Sequence, residues 1–444
     1  MGKIVAKFGG SSLSDAGQFR KVKHILEMDA RRCYVVPSAP GRRFEQDEKI
    51  TDLLYQVYHQ KQSGGDYTRT FGVIRERFEG IARELELKID ISGALDDIER
   101  DIEAGASEDF CASRGEYLNG LLLSNYLGFT FLDPKDFIFF NQDGTFHSER
   151  TNDTLRALLK YTPKAVIPGF YGNLNEEIHT FSRGGSDITG AIVARAAHAE
   201  IYENWTDVSG FLMADPRVVP GAKSIRNVTY RELRELSYMG AAVLHEDSVF
   251  PVHRAGIPTN IRNTNAPEER GTIISHAIPD EPNPEVITGV AGRLGFSVVS
   301  VEKAMMNGER GFGRRVLQAM EESGLSFEHM PTGIDTLCVV VATKDLEPVK
   351  EQVVKRIVEL TSPDTLTVYD DMGIIATVGR GMVHNPGTAA RLFTALSRAN
   401  VNVRMIDQGS SELSILVGVD SADFQPAIRA IYQEFVKEPE KGNA

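Results

Sequence analysis

Cysteine and tryptophan are scarce in this chain, three and one in 444 residues. Cys33, Cys111 and Cys338 stand far apart and form no CxxC pair. That leaves no disulfide framework and no thiolate zinc site, and it fits reduced thiols in a cytoplasmic setting. Cys33 and Cys338 lie in apolar, strand-like runs and are expected in cores. Long apolar runs are missing too. None reaches membrane-spanning length, and Met1 to Gly10 holds too short an apolar stretch for a signal peptide. Positive charge is in deficit, with 49 Lys and Arg against 62 Asp and Glu and a net charge of −13. Neither nucleic acid nor an anionic membrane is therefore the expected partner. GxxxxGK[ST] occurs nowhere, which excludes a Walker-type nucleotide loop.

With 41% hydrophobic and 25% charged residues, the chain has the composition of a globular protein able to build cores. Its length suggests about two to four domains. One stretch organises the rest: Ser182-Arg183-Gly184-Gly185-Ser186-Asp187, set between a strand-like run at 177–181 and a strong helix former at 188–197. Glycines at a helix start leave backbone N–H groups pointing outward where the helix dipole favours an anion. A capped helix with an acid in its first turn explains the same residues.

Ile4 to Phe8 is a short apolar run broken by Gly9-Gly10-Ser11-Ser12, after which Phe19, Val22, Ile25 and Leu26 recur at helical spacing. Strand, glycine turn and helix place backbone donors around a phosphate, and Lys7 ends the strand where its ammonium could reach one. Cys33 to Val36 is a second buried-type strand, followed by Pro37-Ser38-Ala39-Pro40-Gly41 and a helix marked by Ile50, Leu53, Leu54 and Val57. Ser38 and Thr51 read as turn or cap residues. Residues 70–104 are helical and charge-dense, an insertion without an evident chemical group. Glu108 to Leu127 is a further helix, with Arg114-Gly115-Glu116 inside it. Gly115 weakens it by about 1 kcal/mol relative to alanine, either for a ligand's close approach or for packing. Ala165 to Phe170 is another strand with a glycine turn. Strands alternating with helices predict an α/β fold with a mostly parallel sheet and its ligand at the strands' carboxyl ends.

Trp205-Thr206-Asp207-Val208 and Asp215-Pro216-Arg217 follow, with Trp205 expected near the site. His245 lies on an apolar face and reads as a packed histidine. A loop with three prolines, Pro279, Pro282 and Pro284, marks a domain boundary. Beyond it, strands and helices recur in two copies of a βαββα plan, with strands at 298–301, 337–342, 366–369, 374–378, 403–406 and 413–417. Glycines precede the first helix of each copy, at Gly311 and Gly387.

Lys7-Phe8-Gly9-Gly10-Ser11-Ser12, Arg114-Gly115-Glu116, the hexapeptide at 182–187, and the segments at 205–208 and 215–217 together resemble the aspartate kinases of the amino-acid kinase family. That family carries two C-terminal ACT modules. The resemblance covers nearly the whole chain and implies a three-layer αβα kinase domain at 1–283, with ferredoxin-like α+β modules at 284–370 and 371–444. It implies ATP, with Mg2+ carried by the nucleotide, as cosubstrate and L-aspartate as acceptor, in the first step of lysine, threonine and methionine biosynthesis. By position, Lys7, Gly9 and Gly10 would meet the phosphates, with Thr206, Asp207 and Arg217 also on the nucleotide. Ser38, Thr51, Glu116, Arg183, Ser186 and Asp187 would hold aspartate, Lys7 and Asp187 acting in catalysis. The modules imply a homodimer or higher homo-oligomer inhibited by lysine, threonine or both, with effector contacts around Met330, Asp335, Thr336, Ser410 and Ser411. One departure is Ala242, where the family commonly has a nucleotide-contacting lysine; Leu212, where a tyrosine often stands, is another. A glutamate or acetylglutamate kinase of the same fold and a non-catalytic amino-acid sensor are the alternatives.

Overall fold

The computed structural model describes residues 2–182, 184–240, 250–277 and 285–436. They form two compact units. The first holds residues through Phe211 with Ser224–Tyr230 and 250–277, and the second holds Leu212–Lys223, 231–240 and 285–436.

In the first unit, β1 (Ile4–Phe8) and β2 (Arg32–Pro37) are buried at every position. Such continuous burial belongs to parallel strands covered on both faces. Between them α1 (Ala16–Met28) begins at Asp15, whose carboxylate accepts from the Gln18 N–H, and it buries Phe19, Val22, Ile25 and Leu26. Then come α2 (Ile50–Gln62), α3 (Thr68–Glu84), α4 (Ile91–Glu103) and α5 (Glu108–Leu127). The stretch expected as an insertion is thus α3 and α4, and Phe71, Ile74, Phe78, Leu95, Ile98 and Ile102 join the core formed with α1, α2 and α5.

The unit continues through β3 (Thr130–Phe131), α6 (Ser148–Leu159), β4 (Ala165–Val166), a hairpin of β5 (Tyr171–Leu174) and β6 (Glu177–Thr180), α7 (Gly185–Ala196), β7 (Ile201–Thr206) and β8 (Asn227–Thr229). After α8 (Tyr230–Tyr238) come α9 (Phe250–Ala255), β9 (Thr259–Asn263) and β10 (Thr272–Ser275). The sheet runs β3-β4-β2-β1-β7-β9-β10-β8, and among these neighbours only β9 and β10 are antiparallel. From β1 the chain steps to β2 on one side and later reaches β7 on the other. That reversal opens a crevice at the carboxyl ends of β1 and β7, the usual ligand position in open α/β sheets.

The second unit has β11 (Gly289–Glu302), α10 (Phe312–Glu322), β12 (Thr336–Ala342), α11 (Thr343–Leu346), α12 (Lys350–Thr361), β13 (Thr365–Val378), α13 (Thr388–Arg398), β14 (Val403–Asp407), β15 (Ser414–Asp420) and α14 (Phe424–Phe435). One antiparallel sheet, β12-β11-β13-β15-β14, carries both modules. Residues 366–369 and 374–378, expected as separate strands, are one. Asp370-Asp371-Met372-Gly373 reads as a turn, yet the ladder to β11 continues past it. The irregularity is absorbed at Gly295 (φ 91°) and Asp371 (φ 64°). The first copy runs β-α-β-α-β and the second β-α-β-β-α, so the two are not one plan repeated in the same order. The helices of the first copy bury Val316, Met320, Val353 and Ile357 against Val299, Val301, Val339 and Val341.

Segments from the middle of the sequence also belong here. The Val290 N–H donates to the Met213 carbonyl (2.6 Å) and the Lys223 N–H donates to Tyr432 Oη (2.9 Å). Glu232 of α8, fully buried, takes hydrogen bonds from Thr288 Oγ1 (2.5 Å) and the Arg380 N–H (3.0 Å). Cys33 is buried as expected, but Cys338 is half-exposed and lines a cavity of about 410 Å³ with Tyr369, Arg404 and Met405. Alternation puts it on the sheet face away from Leu337 and Val339, so it is not a core thiol.

Candidate active site at the carboxyl ends of the central strands

Three turns interlock where β1, β2 and β4 end. The Gly9 N–H donates to the Trp205 carbonyl of β7 (2.9 Å), Ser38 N–H to the Phe8 carbonyl (3.0 Å), and Gly41 N–H to the Gly10 carbonyl (2.8 Å). A Cβ on Gly10 would stand 2.9 Å from the Ala39 carbonyl oxygen, and one on Gly41 would stand 2.6 Å from the Gly10 carbonyl carbon. Only glycine permits that backbone contact. Beyond β4, the Gly169 N–H donates to the Pro37 carbonyl (3.1 Å), and a Cβ there would meet Ser186 Cα at 2.6 Å. The start of α7 is thereby seated against the end of β4.

Lys7 and Asp187 form the charged centre. Lys7 is 7% exposed, and its ammonium lies 2.6 Å from Asp187 Oδ1. The same oxygen accepts from Asn204 Nδ2 (2.9 Å), and Asn204 is the register partner of Lys7 across β1 and β7. Among the described residues no side chain caps α7, and Gly184 at its N-cap takes φ 58°. The first-turn N–H groups, including that of half-buried Ser186, therefore suit an anion. Arg183 lies outside the described residues, as do Ala242 and His245.

Facing these groups, α5 presents Glu116, 5% exposed. Burial pushes its carboxyl up to about 7 against the opposing pull of the Ala39 N–H and of the Lys7 and Arg114 charges. Its Oε2 is buried without a partner among the described residues. Asn119, one turn on, donates to the Ser38 carbonyl (2.5 Å). Thr51 is half-buried in the first turn of α2, beside the Ile50 N–H that reaches the Pro40 carbonyl (3.3 Å). Gly115 is a packing glycine, since a Cβ would stand 2.8 Å from that of Ala39. Thr206 ends β7, its hydroxyl on Asp207 (3.1 Å) and its carbonyl accepting from the Thr264 N–H (2.8 Å). Trp205 lies beneath, fully buried and stacked on Phe8. Arg217 belongs to the second unit, where its 88% exposed side chain is engaged by Asp215 (2.6 Å).

The structure thus gathers Lys7, Gly9, Gly10, Ser38, Thr51, Glu116, Ser186, Asp187 and Thr206 at one end of one sheet. Asn119, Asn204 and Arg77 escape sequence reasoning. Asn204 had a signal, a polar residue inside the buried run of β7. Arg77 of α3 had none, yet it donates to the Gly41 carbonyl (3.1 Å) and pairs with Asp47 (2.7 Å), fastening the turn from 36 positions away. In the second unit, Met330 and Asp335 lie in the loop before β12 and Thr336 opens that strand; the Asp335 carbonyl accepts from the Lys303 N–H (2.9 Å). Ser410 and Ser411 are exposed between β14 and β15.

Among known proteins, residues 2–263 match the Amino acid kinase family and residues 375–435 the ACT domain. Aspartokinase 3 of Bacillus subtilis (strain 168) is 38% identical over 97% of this chain and 98% of its own length. The crystal structure of Clostridium acetobutylicum aspartate kinase superposes with a TM-score of 0.90 at 47% identity, covering 98% of this chain and 100% of that one. The chloroplastic bifunctional aspartokinase/homoserine dehydrogenase 2 of Arabidopsis thaliana is 30% identical over 97% of this chain, which spans 50% of it. Matched over more than half its length by the family and over nearly all of it by these relatives, the chain belongs to the amino acid kinase family, on its aspartokinase branch.

Proposed function

We propose that the site transfers the terminal phosphoryl group of ATP to the side-chain carboxylate of L-aspartate, giving 4-phospho-L-aspartate and ADP. One observation carries the assignment of roles: the Lys7–Asp187 pair stands beside the Gly9-Gly10 turn and opposite the buried, half-satisfied carboxyl of Glu116. A carboxylate oxygen of aspartate attacks the terminal phosphorus while the bond to the bridging oxygen breaks, and ADP leaves with that electron pair. The nucleophile is already ionised, so no general base is needed. The task is to hold two anions together. Lys7 and the N–H groups of the glycine turns and of α7 offset the charge on the transferred group. Ser38, Thr51, Arg183 and Ser186 hold the carboxylates, and Glu116 takes the ammonium. Asp187 keeps the Lys7 ammonium at the sheet edge. Thr206, Asp207 and Arg217 serve the nucleotide, Arg217 on leaving its pairing with Asp215. Mg2+ bound to the phosphates would screen their charge; among the described residues no group of three or more His, Cys, Asp or Glu could hold a metal by itself.

We assign 1–283 to the kinase domain and 284–370 and 371–444 to the two modules, which share β11 and β13. Through them lysine, threonine or both inhibit a homodimer in the cytoplasm. No helix among the described residues is long and apolar enough to cross a membrane. The relatives over the whole length favour neither a glutamate or acetylglutamate kinase nor a sensor.

The acyl phosphate is trapped by hydroxylamine. Purified protein with ATP, Mg2+ and aspartate should give a hydroxamate, and glutamate or N-acetylglutamate should give little. A strong signal with glutamate and none with aspartate would overturn the substrate.

A further inference from the structure

The strand that leads into the hexapeptide is held from outside the site. β6 ends at Thr180, two residues before Ser182. The arm from Phe170 to Gly184 is left-handed at both ends, with φ 83° and 58°. Glycine takes that conformation freely, whereas an aromatic residue takes it only where its surroundings compel it. Three contacts do so. The Phe170 N–H donates to Thr189 Oγ1 of α7 (3.1 Å), and the Phe170 carbonyl accepts from the Phe181 N–H (2.9 Å). The third contact is made by Asp109, in the first turn of α5. Its Oδ1 accepts from Thr180 Oγ1 (2.5 Å) and its Oδ2 from His179 Nδ1 (2.7 Å). An ionised carboxylate only accepts, so the Nδ1 proton makes this bond whether the imidazole is neutral or charged. Phe140 packs edge-on against that ring at 4.7 Å.

Among the described residues these are the only side-chain hydrogen bonds from α5 to the hairpin. Asp109 and Glu116 stand seven positions apart, two turns along one face of the helix. One helix thus presents Glu116 to the turn at Ala39 and holds the strand that delivers Ser182 to Asp187. We propose that Asp109 is a positioning residue for the transfer: by clamping His179 and Thr180 to α5 it fixes the 182–187 turn at the separation from Glu116 that one aspartate spans. The inference rests on the aspartate kinase reading above, and Asp109 itself touches neither substrate. The side chains of His179 and Asp109 are 29% and 32% exposed, so their bond contributes little to global stability. Its effect is local, on where the arm comes to rest.

The test is steady-state kinetics of the full-length enzyme. Asp109→Ala should raise the KM for aspartate about tenfold, leave the KM for ATP within about twofold, and shift thermal unfolding by no more than a few degrees. Asp109→Asn should restore most of the loss, since its Oδ1 still accepts from Thr180 and its Nδ2 can donate to the other imidazole tautomer. Because Asp109 acts through the 182–187 turn, its loss should be less than additive with Ser186→Ala and additive with Thr51→Ala, which lies on α2. An unchanged KM for aspartate, both KM values rising together as stability falls, or additivity with both partners would overturn the proposal. Thr180→Val removes one bond from the strand side and should raise the KM for aspartate about threefold, and it decides the matter if the alanine variant does not fold. Failure of the underlying reading looks different, because then the parent protein makes no hydroxamate from aspartate.

Discussion

Lys7→Ala is expected to lower kcat by about 100- to 1,000-fold, the cost of about 3–4 kcal/mol for removing one preorganised group from developing charge. The same loss is expected from Asp187→Ala. Each group has a different duty, the ammonium meeting the phosphoryl group and the carboxylate holding the ammonium in place at 2.6 Å. Because they act as a unit, the double variant should lose little more than either single one. Folding should survive in all three. Asp187 keeps its bond from Asn204 when Lys7 is gone, and its side chain is 20% exposed, so water reaches it. Steady-state kinetics with thermal unfolding of each variant checks both halves. A variant with near-parental kcat would remove that residue from the mechanism.

Glu116→Gln is expected to separate binding from stability in opposite directions. In the empty site burial holds the Glu116 carboxyl up to about 7, above its ordinary 4.5. The folded state therefore binds a proton more readily than the unfolded chain, so this group's contribution is fully favourable below 4.5 and declines as pH rises through about 7. At one pH unit per 1.36 kcal/mol, the penalty above that range is on the order of 3 kcal/mol. Glutamine carries no charge, so the empty variant should be the more stable protein at pH 8, while at pH 4 the two should be nearly alike. Catalysis goes the other way. The substrate ammonium needs the ionised carboxylate, so kcat/KM for aspartate in the parent should rise with pH through about 7 and then level. The variant should lose that inflection and about 10- to 100-fold in kcat/KM, the worth of a charge-assisted hydrogen bond. Equal stability at pH 8 together with an unchanged profile would show that Glu116 neither suffers burial nor meets the substrate.

Local patterns were legible where one physical effect dominates. Glu108–Leu127 could be bounded from sequence because Ser107 caps its start and Gly128, left-handed at φ 66°, ends it. The glycine turn after β1 and the hexapeptide that opens α7 were legible as strand-to-helix junctions because paired glycines break the apolar pattern there. Strand ends in the second unit were not. Aspartates and a glycine at 370–373 carry turn propensity, which the chain uses for a bulge at Asp371, beside one at Gly295 of β11, without leaving the sheet. Exposure of Cys338 escaped because an apolar run does not say which sheet face is covered. The supporting residues were the least legible. Arg77 reaches Gly41, and Asn119 reaches Ser38 across 81 positions; nothing local to arginine or asparagine on a helix reports such a contact.

Phosphoryl transfer here requires that the turns after β1, β2 and β4 and the start of α7 form one site for both substrates. The most direct measurement is a crystal structure of the protein with ADP, Mg2+, aluminium fluoride and aspartate. The account predicts the planar phosphoryl mimic between Lys7 and the Gly9-Gly10 turn, the aspartate side-chain carboxylate in line with it, and the aspartate ammonium on Glu116. Nucleotide phosphates bound away from the Gly9-Gly10 turn, or an aspartate ammonium turned away from α5, would contradict it.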